Sequence, residues 1–366
     1  VKRDSLRSLL AGGALLVWLL CLLAACGTST TPAASSPGGG GTITLYTADG
    51  LESYYKQVLP LFEQEHHVQV NIVTDGSGAV VNRLQIEKDR PQADVVVTLP
   101  PFIQQAAEQG LLAPFQPEAA AHLSSAHRDS HGLWYTFVNN YLTWVYNPQF
   151  LAKPPQTFAD LITPAYKGKV AYSNPLSAGD GMGVIIELET LWGMDKTIAY
   201  LKALEANVKF HTKGTGYLDV LVNRGEIAVA NGDLQMDLSD KVQGGMSLQP
   251  IFLRPAPGEA PITIEDPYTI ALVKGGPNPS GGQALINYLL SPAAQQQVWD
   301  IYGVPARDDI SAQSQAAKAL RQLLQGVRVL NVDWEKVIAN QQAWQQSWQS
   351  EVLNEFGKPA SVQAPA

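Results

Sequence analysis

The sequence predicts an α/β fold built as two lobes. The chain has 366 residues, too many for one compact core and suited to two. Strand-like and helix-like patterns alternate over the first hundred folded residues, which argues for open sheets with helices packed on them. The run "ADVVVT" (93–98) is almost continuously apolar, as expected of a strand buried on both faces of a parallel sheet.

The apolar content of 45% against 16% charged residues marks most of the chain as globular. Residues 1–26 are expected to lie outside the fold. Lys2, Arg3 and Arg7 form a basic start, and the apolar run over 9–23 is too short for a stable membrane span. The run ends in Leu23-Ala24-Ala25-Cys26-Gly27. This resembles a bacterial lipobox, in which Cys26 is lipidated and becomes the first mature residue; an ordinary signal peptide with a chance cysteine is the alternative. Residues 27–41, GTSTTPAASSPGGGG, lack apolar periodicity and read as a flexible tether.

Cys21 and Cys26 are the two cysteines. Removing the leader discards the first and lipid occupies the second, which leaves no thiol for a disulfide, a metal or catalysis. The net charge is −8, and it becomes more negative without the basic leader. No basic cluster remains to hold a nucleic-acid backbone.

In chain order, "TITLYT" reads as a strand and "ESYYKQVLPLFEQEH" as an amphipathic helix carrying Tyr55, Val58, Leu59 and Phe62 on its apolar face. "VQVNIVT" is a second strand, "AVVNRLQIEKD" a helix, "ADVVVT" a third strand, and "PFIQQAAEQGLL" a helix closed by Gly110. The stretch 133–147, "LWYTFVNNYLTWVYN", is rich in β-formers and reads as one long strand crossing between lobes. Beyond it come the strand "GKVAYSN", helices over about 183–192 and 195–204, the strand "VKFHT", a helix over about 217–223, and the strands "EIAVAN" and "PYTIALVK". "PSGGQALINYLLSPAAQQQVWDIYG" is strongly helical. The tail "WEKVIANQQAWQQSWQSEVL" is expected to be a helix packing on lobe one through Trp334, Trp344 and Trp348.

Ligands of open α/β sheets bind beyond the carboxyl ends of the strands, where helix starts offer free N–H groups and partial positive charge. Several junctions carry small or polar residues at such places: Asp49-Gly50, Gly76-Ser77-Gly78, Thr98, Ser177-Ala178-Gly179 and Thr215. In "DGSGAVVNRL" the two glycines around Ser77 are expected to leave backbone N–H groups open to an anion. Any one junction also fits an ordinary helix cap. Their repetition favours a shared anion cleft. Other chemistry has little support. The six histidines fall in no HExxH pattern, and there is no GxSxG elbow or GxxxxGK[ST] loop. No metal, cofactor or catalytic group is expected.

Leader, tether and α/β alternation together resemble the extracellular solute-binding proteins of bacterial ABC importers. "PQADVVVTLPPFIQQAAEQGLL", "HGLWYTFVNNYLTWVYN" and "PYTIALVKGGPNPSGGQALINYLLSPAAQQ" are similar to segments of the group that binds ferric iron, thiamine and polyamines. Within that group "YTADGLESYYKQVLPLFE", "GSGAVVNRLQIEK" and "QADVVVTLPPFIQ" resemble the 2-aminoethylphosphonate binders. The resemblance implies a two-lobe type II periplasmic-binding fold with a hinge of crossing strands. Lobe one would take 42–138 and 265–366, and lobe two 139–264. It also implies no enzyme activity, capture of a small phosphonate between the lobes, and delivery by a single lipid-anchored chain to a permease with a separate ATPase. The chain would sit on the extracytoplasmic face of the membrane.

Iron-binding members use a His in the first loop, a Glu after the third strand, and two adjacent tyrosines after an Asn in lobe two. The matching positions here read Asp49, Leu99, and Asp233-Leu234 after Asn231, which argues against iron. The Tyr54-Tyr55 pair sits in a helical segment and reads as packing. The anion-holding positions of those relatives correspond to Ser177, Ala178, Gly179, Thr215 and Asn231. Asp233 is then the first candidate for the amine of an aminophosphonate and Asp49 the second, although Asp233 also fits a surface turn. Asn140 and Tyr268, on the crossing strands, are expected to face the cleft, and Tyr268 equally fits the core. Phosphate, a polyamine, thiamine or ferric iron on the same fold remain alternatives, as does a secreted enzyme.

Overall fold

The computed structural model describes residues 41–354. The expected leader, Cys26 and the tether up to residue 40 lie outside the described residues. β1 (Thr42–Ala48) leads into α1 (Glu52–His66), β2 (Gln69–Asp75) into α2 (Ser77–Ile86), and β3 (Val95–Thr98) into α3 (Phe102–Glu108). The short β4 (Leu112–Ala113) and then β5 (Tyr135–Asn139) follow. Next come β6 (Leu142–Tyr146), α4 (Phe158–Leu161), β7 (Val170–Ser173), α5 (Gly179–Trp192), α6 (Met194–Glu205) and β8 (Val208–Thr212). The middle of the chain ends with α7 (Gly216–Asn223), β9 (Val229–Asp233), α8 (Leu234–Val242), β10 (Gln249–Ile251) and β11 (Ile262–Thr263). Last are β12 (Tyr268–Val273), α9 (Pro279–Leu289), α10 (Pro292–Val298), β13 (Val304–Pro305), α11 (Gln315–Leu324), β14 (Arg328–Val329) and α12 (Trp334–Ser347).

Two mixed sheets organise these elements. The first has the order β13-β5-β12-β3-β1-β2, with β4 beside β12; β1 runs parallel to β2 and β3, and β12 runs antiparallel to β3 and β5. The second has the order β10-β6-β9-β7-β8, with β7 parallel to β8 and β9 and β6 antiparallel to β9. β3 is buried on both faces as its composition predicts. Val95 and Val97 join an apolar cluster with Leu45 and Ile270, while Val96 joins another with Phe102 and Ile103. α1 buries Tyr54, Tyr55, Val58, Leu59 and Phe62. The Tyr54 hydroxyl donates to the Ala294 carbonyl (3.2 Å) and the Tyr55 hydroxyl meets Thr47 Oγ1 (2.9 Å), so both tyrosines pack within the fold.

The stretch 133–147 is two strands rather than one. β5 belongs to the first sheet and β6 to the second, and Asn140-Tyr141 carry the chain across. The return crossing lies against the outward one: Tyr141 bridges Glu265, and the Asp266 N–H donates to the Asn140 carbonyl (3.0 Å). β-Propensity alone does not mark the break, because both halves are equally rich in strand formers. α5 starts at Gly179, ahead of the expected 183, because the glycines of "GDGMG" weaken its helical signal while its first turn is held in a buried contact.

The tail departs from expectation more clearly. α12 touches lobe one as expected, but the π-helical turn that follows it (Trp348–Leu353) anchors the tail on the second sheet. Trp348 is fully buried, meets the Tyr172 and His211 rings edge-on, and donates its indole N–H to the Tyr172 hydroxyl (2.8 Å). Lys336 pairs with Glu189 on α5, while Gln341 reaches back to Gln105 on α3 (3.3 Å). The tryptophan spacing reveals that one face is buried, but not which surface receives it.

Candidate ligand-binding cleft

The carboxyl ends of the parallel strands from both sheets meet. The turn after β1 holds Asp49 and Gly50, the turn after β2 opens α2, and the turns after β7, β8 and β9 open α5, α7 and α8. These turns touch directly. The Gly216 N–H, at the start of α7, donates to Asp49 Oδ2 (2.9 Å), and Lys213 Nζ pairs with Asp75 Oδ2 (2.6 Å). The Gly78 N–H donates to the Ser177 carbonyl (2.9 Å).

Tyr268 joins several expected residues into one group. Its hydroxyl donates to Asp233 Oδ2 (2.6 Å) and lies 3.0 Å from the Asp49 carbonyl oxygen. Gly50 sits beneath that hydroxyl at φ +112°, where a Cβ would lie 2.1 Å from the Tyr268 oxygen, so both backbone conformation and space require glycine. Asp233 is no surface turn residue. It is fully buried and caps α8 by accepting the Met236 N–H at Oδ1 (3.0 Å).

A second set gathers around α2 and α5. Ser77 is buried, and its carbonyl accepts the Thr98 hydroxyl (3.0 Å). The Ser177 hydroxyl donates to the Lys213 carbonyl (2.7 Å), and Ala178 and Gly179 open α5 so tightly that a Cβ on Gly179 would lie 2.8 Å from Ser77 Oγ. The Gly78 N–H, expected to be open to an anion, is engaged by Ser177 in this arrangement. Asn231 and Thr215 converge on Ser173: Asn231 Oδ1 accepts the Ser173 N–H (2.8 Å), and the Thr215 hydroxyl donates to Ser173 Oγ (3.1 Å). Asn140 Oδ1 accepts the Gln235 N–H (3.0 Å), which ties the crossing to the start of α8. A pocket of about 560 Å³ opens beside these turns, lined by Asp49, Gly50, Lys213, Gly216 and Met236 among others. The rest of the expected set lies deeper or elsewhere.

The site is more acidic than its turns suggest. Burial pushes the Asp49 carboxyl up to about 6, against the Gly216 N–H, which lowers it. Burial also lifts Asp233 to about 6, with the Tyr268 hydroxyl and Met236 N–H acting the other way. Asp237 rises to about 8 and Asp240 to about 6, again chiefly through burial. Asp180 and Asp266 rise well above the usual carboxylate range through burial and then the neighbouring charge of Asp233. Sequence reading passed over these two, although Asp180 directly follows Ser177-Ala178-Gly179 and Asp266 precedes Tyr268 by two residues.

These shifts set a pH dependence. A carboxyl raised in the folded state holds its proton there after the unfolded chain has released it. Its stabilising contribution is therefore present below the unfolded value near 4 and is lost as pH rises through the folded value. The melting temperature of the unliganded protein is expected to fall as pH rises from about 4 to about 8. A melting series across that range tests this, and a flat or rising curve contradicts it.

Residues 47–296 match the bacterial extracellular solute-binding protein family. A periplasmic protein of Salmonella typhi whose name provisionally assigns it 2-aminoethylphosphonate binding is 38% identical over 312 residues, covering 84% of this chain and 91% of its own. A thiamine-binding periplasmic protein of Brucella suis biovar 1 is 27% identical over 191 residues, covering 50% of this chain and 56% of its own. Among solved structures, the periplasmic binding protein AfuA of Actinobacillus pleuropneumoniae superposes with a TM-score of 0.76 at 23% identity, covering 86% of this chain and 99% of that one. That last likeness bears on the fold alone, and it agrees with two α/β lobes joined by crossing strands. On the family match and the Salmonella relative, the chain belongs to the bacterial extracellular solute-binding proteins.

Proposed function

We propose that the chain captures 2-aminoethylphosphonate between its lobes and passes it to an ABC permease driven by a separate ATPase. The observation that carries this reading is the Tyr268 group, whose hydroxyl links the buried Asp233 carboxyl to the Asp49 backbone carbonyl, with the half-buried Asp49 carboxyl on the start of α7 and the helix starts at Ser77 and Gly179 nearby. A zwitterion with an anionic head and a primary ammonium needs opposite charge at each end once it is removed from water. Helix starts suit the phosphonate and carboxyls suit the ammonium. In this proposal Ser77, Thr98, Ser177, Ala178, Gly179, Thr215 and Asn231 serve the phosphonate end, and Gly78 joins them only where its N–H leaves the Ser177 carbonyl. Asp233 meets the amine with Asp49 in reserve, and Gly50, Asn140 and Tyr268 form the wall between. The name of the Salmonella relative supports the same ligand.

The number of buried carboxyls favours a second ligand, a polyamine. A melting-temperature screen separates the two. A ligand at about 100 times its Kd adds about 2.7 kcal/mol of apparent stability. A clear rise is expected with 2-aminoethylphosphonate; no rise with it, but one with spermidine or thiamine, rejects the phosphonate and keeps the fold.

The same proposal places the chain on the extracytoplasmic face of the membrane, held through lipid on Cys26, working as a single copy and without catalysis. Among the described residues no helix is long and apolar enough to cross a membrane. Cys26→Ser is expected to shift the protein from the membrane fraction to the soluble one, and retention of the variant in the membrane would reject the anchor.

A further inference from the structure

Granting the aminophosphonate ligand proposed above, we infer that Asp180 and Asp266, together with Asp233, form the cage that selects its primary ammonium group. Asp180 lies in the first turn of α5, and Asp266 lies on the return crossing just before β12. The two are distant in sequence but packed together. Asp266 is tied to the outward crossing by its N–H bond to the Asn140 carbonyl. α5 presses on it so closely that a Cβ on Gly183 would lie 2.9 Å from Asp266 Oδ2. Asp180 and Asp266 lie within hydrogen-bonding reach of each other, and Asp233 is the charged neighbour that acts most strongly on both.

Unpartnered oxygens mark this group, as they also mark the buried Asp219 and Asp237. Asp180 is 5% exposed and Asp266 1%, yet among the described residues no donor reaches Asp180 Oδ1 or Asp266 Oδ2. The side-chain amide of Asn140, 2% exposed, is turned towards the Asp233 carboxyl and helps to hold its pKa down. Buried polar atoms are nearly always paired, so orphans clustered beside the crossing strands mark a missing partner. Asp94, on the first sheet, shows how this protein treats a buried carboxyl of purely structural role. Its two oxygens accept the Thr44 and Asn278 N–H groups. Asp180 has the Thr215 side chain beside it and Asp266 has Asp180, which leaves one oxygen of each without a donor, and two carboxyls side by side cannot both carry charge without a cation or a shared proton. A primary ammonium supplies three N–H donors and one positive charge, which matches three carboxyl groups.

The test uses Asp180→Asn and Asp266→Asn, which keep side-chain shape, with calorimetric titration of 2-aminoethylphosphonate and of amine-free ethylphosphonate. Each substitution is expected to weaken 2-aminoethylphosphonate about tenfold or more, as loss of a charge-assisted contact does, while ethylphosphonate changes less than about threefold. The melting temperature should hold or rise, because a repulsive buried carboxyl has been removed. Equal losses for both ligands, or no loss for either, would overturn the cage. So would a lowered melting temperature with affinity intact, since that marks a structural pair. If the unsubstituted protein binds neither phosphonate but does bind spermidine or thiamine, the ligand proposal itself fails; if it binds 2-aminoethylphosphonate and the variants do not discriminate, only the cage fails.

Discussion

Asp233→Asn is expected to lower affinity for 2-aminoethylphosphonate by about 10- to 150-fold while leaving ethylphosphonate nearly unchanged. Asp233 is fully buried, and burial raises its carboxyl to about 6, so the measurement belongs near pH 8, where the group is ionised. A charge-assisted hydrogen bond to the ligand amine is worth about 1.5–3 kcal/mol, which is the source of that range. The substitution disturbs the scaffold little. Asparagine keeps the oxygen that caps α8 through the Met236 N–H, and it replaces the acceptor for the Tyr268 hydroxyl with an amide that offers its own hydrogen to that oxygen. Tyr268 then still has the Asp49 carbonyl as an acceptor. Ethylphosphonate binding should hold or improve, because a negative charge near its anionic head has gone. The contrast between the two ligands is the informative quantity. A parallel loss for both would mean general damage and remove Asp233 from the amine site. No loss for either would send the search to Asp49, whose carboxyl is likewise raised to about 6 by burial.

How much of this was legible in the sequence follows from what each feature depends on. The alternation of β1 to α3 is local. It is written in the apolar periodicity of each segment, and the two-faced burial of β3 in the unbroken valines of "ADVVVT". The turns were legible for the same reason, since a glycine at φ +112° such as Gly50 declares itself by residue type. What was hidden is tertiary. Asp180 and Asp266 come together only when α5 meets the return crossing, and neither has a local pattern that marks it as a neighbour of Asp233. Trp348 shows a buried helix face in its spacing, but the surface it fills, between Tyr172 and His211, is built from other strands. The break at Asn140 is of the same kind: nothing in "VNNYL" distinguishes a strand that changes sheet from one that continues.

Gly76→Val should weaken ligand-induced closure while leaving the fold intact. Gly76 precedes α2 with φ −65° and ψ 154°, an extended geometry that valine accepts without strain. Its immediate surroundings belong to the opposite set of turns. A Cβ there would lie 2.4 Å from the Ser177 carbonyl oxygen and 2.9 Å from that of Lys213, both backbone atoms that cannot swing aside. Those contacts exist only when the turns after β2, β7 and β8 are together, so the substitution acts on their approach and not on the packing of either sheet. Overpacking of this kind costs about 1–3 kcal/mol, and when it falls on the closed form alone it weakens apparent affinity by about 5- to 150-fold, for every ligand alike. That uniform loss separates it from Asp233→Asn, whose loss depends on the amine. The melting temperature of the unliganded variant should stay near that of the parent if the lobes part readily to admit the side chain. Small-angle X-ray scattering gives the second readout: the parent should become more compact on adding ligand, by hinge closure, and Gly76→Val should need a correspondingly higher ligand concentration to do so. A variant that binds with parental affinity and contracts as the parent does would show that the Gly76–Ser177 approach is no part of ligand capture, and would leave "DGSGAVVNRL" with the plainer role of starting a helix.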